Sequence, residues 1–144
     1  MRIALISCAK TKLAGVHEAK DLYVSTRFKL AWEYASKNYD SVYILSAKHG
    51  LLAPHTRIQA YDVTLNGEGR ARRLVWSRRV VRQMRERLMP SDKIDLFCPK
   101  TYREFLPRLL PGWNLSAPLA HLRRGEQMRW YAKHAKITPP ALIL

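Results

Sequence analysis

Apolar and polar positions fall into short blocks along this chain, and the block boundaries predict strands alternating with helices. Residues 2–7, Arg-Ile-Ala-Leu-Ile-Ser, are almost continuously apolar, the pattern of a strand covered on both faces. Asp21 is a candidate N-cap for a helix from about 22 to 37, where Leu22, Phe28, Leu30, Ala31, Tyr34 and Ala35 give a broken 3.6-residue period. Asn38 to Asp40 stop it. Val42 to Leu45 read as a second strand, so strand, helix and strand imply a right-handed parallel crossover. Residues 53–67 hold Pro54, Asn66 and Gly67 without a sustained period and read as a loop over the edge of a site. Loops of this length are functional or disordered, and Tyr61 with Asp62 favours function.

Residues 69–89 make the clearest helix. Leu74, Val75, Val81, Met84 and Leu88 form its apolar face, arginines cover most of the rest, and Pro90 ends it. Ile94 to Cys98 read as a third strand, followed by a short helix with Tyr102 and Arg103. Trp113 to Leu115 read as a fourth strand, Ser116 to Leu119 as a turn, and Gly125 to His134 as a last helix. No repeat or linker divides the chain. The expected fold is a single α/β domain over 1–144, with a core at about 2–131 and a short, mainly parallel four-stranded sheet flanked by helices. The apolar C-terminal tail, within 132–144, could dock on the body or on a second subunit, so oligomeric state stays open.

Charge changes the picture. The 144 residues carry 26 Lys plus Arg against 11 Asp plus Glu, a formal net charge of +15 that gathers anions. Nucleic acid is the expected partner because each neutralised phosphate releases condensed counterions, with an acidic protein or a membrane surface as alternatives. In the predicted arginine helix only Glu86 pairs at helical spacing, and an uncompensated arginine face is repulsive unless a polyanion meets it. Arg72, Arg78, Arg79 and Arg82 are therefore expected nucleic-acid contacts, with Arg123 and Arg124; a plain solvated helix is the competing reading. The two cysteines, Cys8 and Cys98, and the lack of an apolar stretch of bilayer length predict a cytoplasmic protein with reduced thiols. The five histidines are scattered, so neither a metal nor another cofactor is expected.

Candidate chemistry collects after the first two strands, where open α/β sheets carry their sites. Ser46, Lys48 and His49 precede Gly50, which lets the backbone turn sharply. His49 could act as general acid or as a neutral donor to a leaving group, or merely satisfy a loop carbonyl. Cys8 stands before Lys10 and Lys12, an electropositive setting for a nucleophile, although a small buried side chain explains it equally. Lys10 and Lys12 suit an anion, and the absence of glycines there excludes a Walker-type loop. Asp62, beside Tyr61, could activate water, stabilise a cationic sugar or hold an arginine. Tyr102 offers a ring for a base and Arg103 a guanidinium for phosphate; ordinary packing competes for both.

Taken together, Ile6-Ser-Cys-Ala-Lys-Thr-Lys12, Asp21-Leu-Tyr-Val-Ser25, Tyr43-Ile-Leu-Ser-Ala-Lys-His-Gly-Leu-Leu52, Tyr61-Asp-Val-Thr-Leu65 and Ser116-Ala-Pro-Leu119 with Gly125 resemble a family of small bacterial and phage proteins. It is defined only as a domain of unknown function and is distantly similar to the YaaA peroxide-stress proteins. The likeness runs from about residue 3 to 131. A further likeness, to the uracil-DNA glycosylase fold, implies a three-layer sandwich and makes Leu119 a candidate wedge into DNA. The first strand lacks that fold's aspartate-proline-tyrosine loop, which leaves Asp62 to supply a carboxylate.

The expected function is an enzyme acting on a nucleobase or nucleotide, DNA favoured over RNA, that cleaves or exchanges an N-glycosidic bond. Ser46, His49 and Asp62 would carry the chemistry, while Cys8, Lys10, Lys12, Lys48, Tyr61, Tyr102 and Arg103 would bind substrate. The alternatives are a non-catalytic DNA- or RNA-binding protein using the arginine helix, and a phosphoryl or thiol enzyme centred on Cys8.

Overall fold

A computed structural model describes residues 1–136 of the chain; the apolar tail at 139–144 and its expected docking lie outside them. In chain order the elements are β1 (Arg2–Ser7), β2 (Val16–Glu18), α1 (Ala19–Leu22), α2 (Thr26–Asn38), β3 (Ser41–Ser46), β4 (Gly50–Leu52), β5 (Arg57–Gln59), α3 (Arg70–Arg87), β6 (Lys93–Phe97), α4 (Lys100–Arg103), α5 (Leu106–Leu109), β7 (Asn114–Ser116) and α6 (Arg124–Lys136). The main sheet has five strands, not four, in the order β4-β3-β1-β6-β7. Every pairing is parallel except β3 with β4. No helix among the described residues is long and apolar enough to cross a membrane.

The central strand explains the layering. Ile3 and Leu5 point toward α3, α4 and α5, while Ala4 and Ile6 point toward α2 and α6, so successive side chains feed two separate cores. Both faces are covered, which is why the strand reads as an unbroken apolar run rather than an alternating one. Strand β3 repeats this: Leu45 joins the α3 core and Ile44 the α2 core.

Three expectations fail for local reasons. The helix predicted from 22 starts at Thr26, because Tyr23 to Ser25 are drawn into extended backbone by the bridge between Lys12 and Tyr23 and by the Val24 amide donating to the Thr11 carbonyl. Ser25, not Asp21, is its cap, with Oγ accepting from the Phe28 amide at 3.1 Å. Asp21 instead lies in the short α1, paired with Lys20 at 3.0 Å. The predicted loop 53–67 contains β5, which pairs antiparallel with β2 and ties the loop to the segment after β1. On α3 the buried face is Trp76, Ser77, Val80, Val81 and Met84; Val75, expected inside, is 68% exposed.

Candidate functional site

The turn after β3 is built around one hydroxyl. Ser46 Oγ accepts from the Lys48 amide at 3.2 Å and the His49 amide at 3.0 Å, which occupies both lone pairs. Its own proton therefore goes to Tyr61 Oη, 2.7 Å away, and the Tyr61 proton to Tyr23 Oη, also at 2.7 Å. Burial pushes the Tyr23 phenol up to about 12 and Tyr61 higher still, so both stay neutral. Ser46 is fully buried. The expectation that it is catalytic is corrected because both lone pairs and the proton of its hydroxyl are spent on holding the turn.

Side chains from α3 hold the turn from below. Trp76 Nε1 donates to the Ser46 carbonyl at 2.9 Å, Arg79 Nη1 to the Lys48 carbonyl at 2.8 Å and Gln83 Nε2 to the His49 carbonyl at 3.1 Å. Gln83 Oε1 accepts from the Leu51 amide at 2.8 Å. Gly50 has φ +74°, and a β-carbon there would lie 2.2 Å from Gln83 Oε1, so the close approach and the left-handed backbone both require glycine.

Several candidates gather around the Tyr61 ring. Lys12 Nζ stands 4.6 Å from its centroid and Lys48 Nζ 6.0 Å, while the His49 ring meets it edge-on at 5.5 Å. Partial burial, helped by the charges of Lys48 and Arg79, lowers the His49 pKa, so its imidazole is neutral at physiological pH and can donate or accept one hydrogen bond. The Lys10 side chain is exposed, and its carbonyl accepts from Lys12 Nζ at 3.1 Å. Asp62 is exposed and forms no ion pair among the described residues, so it holds down no arginine.

A groove of about 410 Å³ opens beside this turn, between α3 and the segment 63–68. Val63, Leu65, Val75 and Trp76 give it an apolar floor, and Arg72, Arg79 and Arg82 stand along it. Glu68 ion-pairs Arg72 at 3.7 Å from four residues upstream, and Glu104, which caps α4, ion-pairs Arg73 at 2.6 Å. The expectation that only Glu86 could offset this face therefore missed one acid before the helix and one from a distant element. Arg78 is exposed with no ion pair among the described residues.

Other candidates are elsewhere. Tyr102 is 4% exposed, its ring edge-on to Trp76 at 5.3 Å and its hydroxyl 3.5 Å from Cys8 Sγ, so it offers no face to a base. Leu119 is 5% exposed and packs in the α2 core, so it is no wedge. Arg123 and Arg124 are exposed at the start of α6, where Glu126 Oε1 accepts the Arg123 amide at 2.9 Å. Arg103 is half-buried, with its Nε unpartnered. Cys8 and Cys98 are free thiols, and burial pushes Cys98 up to about 12. Sequence reasoning missed Tyr23, Trp76, Gln83 and Arg27. Gln83, a lone neutral amide within an arginine-rich helix, carried the one visible signal.

The model of a family described as "Family of unknown function (DUF6884)" matches residues 3–133. The chain is also similar to an uncharacterised protein of Bacillus subtilis (strain 168), YfjM, with 32% identity over 129 residues, covering 81% of this chain and 85% of that protein. No solved structure matches.

Proposed function

The chain belongs to the DUF6884 family of unknown function, and from that premise we propose that it acts on nucleic acid or a nucleotide by receiving an unstacked base in the groove beside the β3 turn. One observation carries the reading: an apolar groove of about 410 Å³ bears three arginines and adjoins a turn that presents a lysine and a neutral histidine. A base needs an apolar slot and its phosphates need guanidinium or ammonium groups, and here both lie along one helix face. The pronounced positive charge supports a polyanionic partner, and DNA is the one we propose.

The reaction we assign is cleavage of an N-glycosidic bond. A neutral His49 would donate a hydrogen bond to the departing base, as the imidazole carries its proton without needing acid. Asp62, exposed and next in sequence to the groove-lining Val63, would stabilise the developing cationic sugar or orient water. Lys12 and Lys48 would meet phosphate. The likeness to YaaA proteins and to a uracil-DNA-glycosylase arrangement belongs to this proposal, supported by the mainly parallel sheet with side chains at its strand ends; buried Leu119 weighs against a wedge. A cytoplasmic location fits the two free thiols.

A second reading, a non-catalytic nucleic-acid-binding protein, is favoured by the engagement of Ser46 in the turn, which leaves only His49 and the separate Asp62 of the candidate catalytic groups. The test uses single- and double-stranded oligonucleotides carrying ordinary and modified bases. Wild type should release base, and folded Asp62→Asn and His49→Ala proteins should do so at least about 100-fold more slowly. Release at the wild-type rate by both variants contradicts the assignment. Retention of oligonucleotide without base release by wild type selects the binding reading.

A further inference from the structure

The strand order reverses at β1: the chain passes from it to β3 on one side and later returns to β6 on the other. In open α/β sheets the crevice at such a reversal, beyond the strand carboxyl ends, is where ligands bind. It is formed by elements other than those of the α3 groove, and its residues are short of partners.

Arg27 reaches from α2 over this strand end, where one Nη donates to the carbonyls of Ser7 at 3.1 Å and Cys8 at 3.0 Å. No carboxylate ion-pairs it among the described residues; the groups around it are the thiols of Cys8 and Cys98 and the phenols of Tyr102 and Tyr131. Burial accordingly lowers its pKa. From the far side, α4 brings Tyr102 onto Cys8 and places Arg103 next to it, with a buried Nε that has no acceptor. Both guanidinium groups are close enough to act on the Cys98 thiol at the end of β6. Ser7 Oγ, at the end of β1, is fully buried and also unpartnered.

Neither Arg27 nor the buried Nε of Arg103 meets an acid among the described residues, and each buried donor left unmade costs stability. A tetrahedral oxyanion supplies what is missing: charge for both arginines and acceptors for Arg103 Nε and Ser7 Oγ. We propose that the crevice between the ends of β1 and β6 is a phosphate-binding site whose ligands are Arg27, Arg103 and Ser7. The phosphate is either free or the terminal group of a nucleotide. This site stands independently of base binding in the α3 groove, because neither set of side chains serves the other.

Titration of the full-length protein with inorganic phosphate, and separately with a nucleoside monophosphate and its parent nucleoside, tests the site at constant ionic strength. Phosphate should bind saturably in the millimolar range. Arg27→Gln and Arg103→Gln should each weaken it about tenfold or more, while Arg57→Gln, which removes an exposed arginine of β5, leaves it unchanged. Ser7→Ala, which deletes an unpartnered hydroxyl and preserves the fold, should weaken it severalfold and serves if an arginine variant does not fold. Tighter monophosphate than inorganic phosphate, with no nucleoside binding, identifies the source as a nucleotide; equal affinity identifies free phosphate. No saturable binding, or equal weakening by Arg57→Gln, overturns the proposal.

Discussion

Two serines end the two adjacent central strands, and both are completely buried, yet their surroundings differ entirely. Ser46 makes three hydrogen bonds, and the Ser46, Lys48 and His49 carbonyls of its turn are each held by a side chain of α3. Ser7 makes none, and the arginines near it lack acids. Equal burial therefore has opposite meanings. A satisfied polar group is part of the scaffold, whereas the unsatisfied one is what the proposed phosphate would pair.

The largest effect is expected at the scaffold end. Gly50→Ala forces an L-residue to φ +74° and displaces the Gln83 amide, losing its bonds to Leu51 and His49. A backbone cost of about 1 kcal/mol and two hydrogen bonds of about 1 kcal/mol each should together lower the free energy of unfolding by about 3 kcal/mol in urea titrations. A loss under about 1 kcal/mol would show that the turn does not depend on Gln83.

The serines themselves break the comparison next. Ser46→Ala strands the Tyr61 hydroxyl and two turn amides and should cost about 2 kcal/mol. Ser7→Ala removes a hydroxyl that bonds nothing and should stay within about 0.5 kcal/mol of wild type. Equal losses at the two positions would end the distinction.

The smallest effect sharpens it through pH. His49 has its pKa lowered by burial, then by Lys48 and Arg79, so the unfolded chain takes up a proton first as pH falls below the ordinary histidine value of about 6.5. The stability linked to His49 is thus fully present above that pH and declines below it. His49→Gln should show a smaller drop in Tm between pH 8 and pH 5 than wild type, and an unchanged drop would mean the imidazole titrates freely.

How much of this was legible in the sequence follows from which forces are local. The apolar runs at 2–7, 42–45 and 94–98 announced buried parallel strands, and the arginine helix was visible within a residue or two of its observed ends. Lys12, Lys48 and His49 stood out in the sequence by their positions after strands, but the Tyr61 ring that the structure sets among them did not. The antiparallel β4 and the small β2-β5 sheet escaped, because three-residue strands are set by partners distant in sequence. Tyr102 and Leu119 misled because an aromatic ring and a leucine in a loop look the same whether packed or presented. Arg27 gave no signal, since only the fold reveals that a guanidinium on a helix lands on a strand end.

The central claim is that the arginines of the α3 groove meet phosphates, and the salt dependence of oligonucleotide binding tests it most directly. For a fluorescent single-stranded oligonucleotide, the slope of log Kd against log salt concentration should be steep in wild type and shallower by about 2 when Arg72, Arg79 and Arg82 are replaced together by glutamine. An identical slope in the two proteins, or no binding by wild type, would contradict the account.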